Sequence, residues 1–147
     1  MTALFFVDTN LLTYSLDASE PSKQIRAQEW LDFLWREQVG RTSVQVLVEF
    51  YATLTRKLRP GLAPDVARSH VNDLWAWRPL VVDRAVISLA WSIESRFQLS
   101  WWDATIVAAA QLADCRYMVT EDLQHGQRFA SVEVVNPFLK VPGDFPG

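Results

Sequence analysis

The sequence predicts an α/β domain: a central, mostly parallel sheet with helices on both faces, a three-layer α/β/α sandwich. Short apolar runs that suit buried strands alternate with longer amphipathic stretches, the pattern that builds parallel sheets. At 147 residues the chain is long enough for one core, and half of its residues are hydrophobic. With no repeat, low-complexity tract or dividing linker, residues 1–147 read as a single domain.

The elements follow in order. "ALFFVD" is an apolar run closed by an acid and reads as a strand, with "TNLLTYSL" starting a short helix behind it. Pro21 opens a helix whose Ile25, Trp30, Leu31, Phe33 and Leu34 approximate one face, and Gly40 is expected to end it. "RTS" is too short to assign. Residues 43–58 are periodic enough for a helix that stops before Pro60, Gly61 and Pro64, and residues 65–77 form another, closed by Pro79. "PLVVD" reads as a strand and residues 84–97 as the helix after it. Residues 100–115 are helical, "RYMVT" is a strand, "EDLQHG" a turn and "VEVVNP" the last strand.

Composition sets limits on function. Aromatic residues at 12%, seven of them tryptophan, and charged residues at 21% describe a packed protein, not an acidic tail. The N-terminus lacks a basic region before its apolar run, and no stretch approaches the ~20 apolar residues that span a bilayer. A cytoplasmic location without membrane attachment is therefore expected. The single cysteine, Cys115, excludes an internal disulfide and reads as a small core residue. A net charge of -3 argues against a broad basic nucleic-acid face, although carboxylates that hold a metal inflate the negative count.

Acids fall where such a sheet would bind a ligand, in the crevice beyond the carboxyl ends of its strands. Asp8 ends the first strand, Asp122 follows "RYMVT", and Asp103 begins a helix. Glu49 shares a helix face with Gln45 at i, i+4 spacing among apolar neighbours. Each has a local explanation. Ser100 and Asp103 fit a helix-start pattern, Asp8 can cap a helix, Asp122 can stabilise a turn behind Thr120, and Glu49 can lie on a solvated stripe. If all four converge, like charges about 4 Å apart repel by roughly 4 kcal/mol per pair at an effective dielectric of 20. A divalent cation would relieve that repulsion, and an all-oxygen donor set favours Mg²⁺ or Mn²⁺ over zinc. Such an ion suits phosphodiester hydrolysis, because it binds phosphate oxygens and activates water.

The stretches "FFVDTNLLTY", "TSVQVLVEFY", "SWWDATIVAAA" and "MVTEDLQHG", in this order, resemble the PIN-domain family, specifically its VapC-type toxin ribonucleases. The likeness runs through nearly the whole chain, to "VVNPF". It implies a metal-dependent endoribonuclease acting on RNA, with tRNA or another structured RNA as a possible substrate, working as a homodimer and silenced by a cognate antitoxin. Asp8, Glu49, Asp103 and Asp122 match the family's acidic quartet, as catalytic residues and ligands of Mg²⁺ or Mn²⁺, and Asn10 and Thr120 match its accompanying polar residues. Glu121 fits less well, because the family's acid follows the threonine by two positions.

Other features have competing readings. Trp101 and Trp102 could stack on RNA bases, but packing is the commoner role for tryptophan in such a chain. His125 could touch phosphate or fix its turn, and His70 reads as structural. The basic stretch from Arg56 to Arg59 suits a helix C-terminus, and as an RNA contact would give only a shallow salt dependence. Two rival functions remain: a catalytically silent PIN fold that binds RNA or protein, and a phosphoacceptor receiver domain. The receiver requires a lysine after a late strand, and Lys140 lacks that context.

Overall fold

The computed structural model describes residues 2–145. Five strands form one sheet: β1 (Phe5–Val7), β2 (Gly40–Arg41), β3 (Tyr117–Val119), β4 (Arg128–Phe129) and β5 (Val132–Val135), in the order β2-β1-β3-β5-β4. All neighbours are parallel except β4 and β5, which form an antiparallel hairpin. The helices are α1 (Thr9–Tyr14), α2 (Pro21–Arg36), α3 (Val44–Ala52), α4 (Pro64–Asp73), α5 (Arg84–Phe97) and α6 (Trp101–Leu112), and they flank the sheet.

Burial explains the sequence pattern. Every β1 side chain is at most 3% exposed, as expected for a central strand covered on both faces. Phe5 meets Trp30 and Phe33 of α2 edge-on, with ring centroids 5.9 and 5.6 Å away, and stacks on Tyr117 of β3 at 5.0 Å. Trp30 is fully buried, and its indole N–H donates to the carbonyls of Pro137 and Lys140, tying α2 to the chain beyond β5. Ala104 to Ala110 of α6 are buried without interruption, which small residues make possible, and α5 packs along this helix.

Several local expectations are corrected. "PLVVD" is not a strand: Leu80 makes only an isolated parallel bridge to Ser43. Ser43 is the N-cap of α3, so the backbone beside Leu80 turns into a helix, and Pro79 has no N–H to extend a ladder. The expected helix over 43–58 is α-helical only to Ala52 and continues as a wider π turn, Thr53–Lys57. That over 65–77 tightens into a 3₁₀ turn at Leu74–Trp77. Gly40 does not end α2; the left-handed residue after that helix is Gln38, at φ 57°. Gly40 opens β2 instead, and the Trp77 ring lies over it so closely that a Cβ there would meet ring atoms at 2.7–2.9 Å.

Candidate active site

The sheet order places β2 on one side of β1 and β3 on the other, so the chain's excursions diverge between β1 and β3. In open parallel sheets this divergence leaves a crevice at the carboxyl ends of the two strands. Asp8 and Thr120 are the residues that immediately follow these strands, and the Asp8 backbone N–H donates to the carbonyl of Val119. Two neighbouring strand ends therefore deliver an aspartate and a threonine to one point.

A dense hydrogen-bond network surrounds that point. Asp8 is buried; its Oδ1 accepts from the Thr9 N–H at 2.7 Å and its Oδ2 from the Thr120 hydroxyl at 3.0 Å. The local and functional readings of Asp8 thus coincide, since it also caps α1. Asn10 Nδ2 donates to Thr120 Oγ1 at 3.1 Å and to Asp122 Oδ2 at 3.0 Å, and the Asp122 N–H donates to Thr120 Oγ1 at 3.1 Å. Thr9 Oγ1 donates to Glu49 Oε2 at 3.1 Å, joining α1 to α3. Asp8, Glu49, Asp122, Asn10 and Thr120 are brought into one neighbourhood.

Electrostatics follow from this arrangement. Loss of hydration on burial raises the Asp8 carboxyl from its ordinary value to about 6, and the negative charges of Asp122 and Glu49 push in the same direction. The hydrogen bonds from Thr9 and Thr120 oppose the shift without cancelling it. An ionised Asp8 at neutral pH is held in an unfavourable field that a cation would relieve.

Among the described residues, Asp103 is not joined to this hydrogen-bond network. It lies at the start of α6, where its own N–H donates to the Ser100 hydroxyl at 3.1 Å, the helix-cap role read from sequence. Among the described residues, no hydrogen bond or ion pair reaches its carboxylate. The turn after α6 pairs with the chain entering β1, as the Arg116 N–H donates to the Leu4 carbonyl. The N-terminus of α6 therefore points toward the edge of the sheet that carries Asp8.

Two observations bear on a metal. Among the described residues, no three acidic, histidine or cysteine side chains stand close enough to cage an ion unaided. The donor chemistry nevertheless fits a hard divalent cation: oxygen donors on Asp8, Glu49 and Asp122, and a buried Asn10 Oδ1 that has no hydrogen-bond partner. An ion there would keep several waters in its shell, as Mg²⁺ commonly does.

Sequence reasoning did not single out Thr9, Tyr14 or Lys23, which hold Glu49 and Glu121. Only Thr9 had a sequence signal, being the middle residue of "DTN". His125 fixes its turn: Nδ1 accepts from the Asn136 N–H at 3.1 Å. Trp101 is half-buried beside Trp91, with ring centroids 6.5 Å apart, whereas Trp102 is 64% exposed, so the packing reading holds for only one of the pair.

A parallel-sheet domain with an acidic crevice at its switch point is the class that fold and site define. A PIN-domain family model matches residues 5–131, and the chain belongs to that family. Three solved structures resemble it. A toxin-antitoxin complex from Klebsiella pneumoniae contains a chain of 18% identity and TM-score 0.65, with 92% of this chain and 98% of that one covered. VapC20 of Mycobacterium tuberculosis, a sarcin-ricin loop cleaving toxin, has 25% identity and TM-score 0.60 over 78% of this chain and 86% of its own. VapBC2 from Rickettsia felis, bound to a promoter DNA fragment, has 14% identity and TM-score 0.55 over 89% and 96%. Among curated proteins none matches the sequence. Among the described residues no helix is long and apolar enough to cross a membrane.

Proposed function

We propose that this PIN-domain protein is an endoribonuclease that hydrolyses RNA phosphodiester bonds with Mg²⁺ or Mn²⁺, as the toxin of a toxin-antitoxin pair. One observation carries the reading: a buried aspartate raised to about 6 is locked between two strand ends and faces Asp122 and Glu49.

Asp8, Glu49 and Asp122 would hold the cation, with Asp103 completing the set from α6. When bound, the ion supplies charge neutralisation at the scissile phosphate and activation of water. The chain's own groups prepare the site. The Thr9 N–H and the Thr120 hydroxyl fix both oxygens of Asp8, the Thr9 hydroxyl holds Glu49, and Asn10 holds Asp122, so the carboxylates are oriented before substrate arrives. Their combined negative charge repels phosphate when no cation is present, which makes RNA engagement cation-dependent.

The resemblance to VapC20, a sarcin-ricin loop cleaving toxin, supports a structured RNA as substrate. The Klebsiella and Rickettsia assemblies support a cognate antitoxin as partner. A homodimer and a cytoplasmic location complete the proposal.

The test is cleavage of a structured RNA by the purified chain with Mn²⁺ or Mg²⁺. Wild type should cut, whereas Asp8→Asn, Asp103→Asn and chelated wild type should not, although all remain folded. Full cleavage by Asp103→Asn in chelator would overturn the mechanism. That, among the described residues, no three acidic, histidine or cysteine side chains stand close enough to cage an ion favours a second reading, a PIN fold that binds RNA without cutting it; RNA retention with no cleavage under any divalent cation would establish that one.

A further inference from the structure

Asp122 does not stand alone at the crevice: the residue before it, Glu121, is also acidic, and the two carboxylates have separate partners. Asp122 Oδ2 accepts from Asn10. Glu121 Oε1 accepts from the Tyr14 hydroxyl at 2.7 Å, and Glu121 Oε2 meets Lys23 Nζ at 2.9 Å. Lys23 also donates to the Tyr14 hydroxyl at 3.2 Å and sits over the rings of Tyr14 and Phe138, 4.7 and 5.0 Å from their centroids. Both oxygens of Glu121 are therefore engaged, by a neutral donor and by a cation.

Asn10 and Tyr14 are four residues apart on α1, the spacing that places side chains one above the other on a helix face. That face receives the Glu121-Asp122 dipeptide at two points. Asp8 caps the same helix and Thr9 is its first residue, so α1 sets the positions of Asp8, Glu49 and Asp122 together. Asp122 itself is exposed on a loop, and among the described residues it makes two hydrogen bonds near 3 Å. Anchoring the preceding residue, Glu121, restricts the loop further.

We propose that Glu121 is a positioning residue: Tyr14 and Lys23 anchor its carboxylate to the outer end of α1, and this fixes Asp122 toward the crevice while withholding Glu121 from it. The charge consequence is specific. With Lys23 pairing Glu121, the loop offers the crevice one carboxylate and not two adjacent ones, whose mutual repulsion would displace Asp122.

The kinetic part of this inference rests on the ribonuclease reading, so the experiment also reads something independent of RNA and metal. Amide hydrogen exchange of the whole chain is compared for wild type, Tyr14→Phe, Glu121→Ala and the double variant, alongside RNA cleavage in Mn²⁺. Tyr14→Phe changes neither charge nor ring packing. We expect the Asp122 amide to exchange roughly tenfold faster in either single variant, with α5 and α6 unchanged. The double variant should be no worse than the singles, because both remove the same link. The turnover number should fall several-fold, with KM unmoved and the Mn²⁺ concentration for half-maximal rate raised, a pattern that mere loss of stability does not produce. Unchanged exchange at Asp122 in both singles would overturn the proposal. So would loss of cleavage in Glu121→Ala with exchange unaltered, which would make Glu121 a group that touches the cation or substrate. If wild type cuts no RNA, the ribonuclease reading fails, and the exchange data still decide the role of Glu121.

Discussion

The Thr120 hydroxyl donates to Asp8 Oδ2 at 3.0 Å and accepts from Asn10 Nδ2 and from the Asp122 N–H, each at 3.1 Å. A hydroxyl has one proton and two lone pairs, so its whole capacity is used, and one buried oxygen links the side chains of Asp8 and Asn10 to the backbone of Asp122. Thr120→Val keeps the shape and removes all three bonds. It should destabilise the protein by about 1–3 kcal/mol, because buried partners are left unpaired, and lower the cleavage rate by more than that loss of folding accounts for. Thr120→Ser should restore both. Thermal unfolding and single-turnover cleavage of the two variants check this, and a Thr120→Val protein that cleaves normally would remove Thr120 from the site.

Thr9→Val tests how Glu49 is held. The Thr9 hydroxyl donates to Glu49 Oε2 at 3.1 Å, while the Thr9 backbone N–H, which serves Asp8, is untouched by the substitution. The expected result is a fall in cleavage of roughly tenfold, equivalent to about 1.4 kcal/mol of transition-state stabilisation, with a thermal midpoint within a few degrees of wild type. A rate indistinguishable from wild type would mean that Glu49 needs no help from α1.

Much of this site was legible in the sequence because strand ends announce themselves. Asp8 and Thr120 each close an apolar run, so a parallel sheet brings them together whatever the details of its helices. The sequence suggests that all four acids converge; hydrogen bonds join Asp8, Glu49 and Asp122 through Thr9, Asn10 and Thr120, and none of them includes Asp103. Periodicity places a residue on its helix, not that helix's end relative to a strand far away in sequence such as β1. β2 and β4 are two residues long, too short for any alternating pattern to register. The Tyr14, Lys23 and Glu121 cluster joins positions 107 and 98 apart in sequence, with nothing local to mark it. Composition does not distinguish the exposed Trp102 from its half-buried neighbour Trp101.

Gly40→Ala probes a packing constraint remote from the crevice. A methyl group at this position would meet Cε2, Cζ2 and Cδ2 of Trp77 at 2.7–2.9 Å. Trp77 is itself buried and lies against Trp35, with ring centroids 5.0 Å apart, so the ring cannot withdraw without displacing a second indole. Overpacking of this kind costs about 1–3 kcal/mol. In a domain of this size that lowers the melting temperature by about 2–4 °C per kcal/mol. Cleavage at temperatures where the variant is folded should be normal. An unchanged melting temperature would show that the α2 C-terminus and the 3₁₀ turn are looser than their contacts indicate.

Asp8 makes stability depend on pH in the direction opposite to most carboxylates. Its carboxyl titrates at about 6 in the folded protein, against 3.8 for the unexposed-to-field, unfolded chain. Between these values the folded state holds the proton more tightly. As pH rises through that window the unfolded state gains relative to the folded one, and stability is lost until about pH 6, beyond which the loss is complete. The size is on the order of 3 kcal/mol, from the separation of the two values. Asp8→Asn removes the titration, so in cation-free buffer the variant should be more stable than wild type at pH 7.5 and lose that advantage near pH 4. Carboxylates remote from the crevice contribute equally to both proteins and cancel in the difference, whereas relief of the repulsion on Asp122 and Glu49 adds to the variant's advantage at high pH. Mn²⁺ added at pH 7.5 should raise the melting temperature of wild type and leave Asp8→Asn nearly unmoved, because bound cation stabilises only a state that holds it. Urea unfolding of both proteins from pH 4 to 8 measures this, and a wild-type-minus-variant difference independent of pH would show that Asp8 is not under the strain its burial implies.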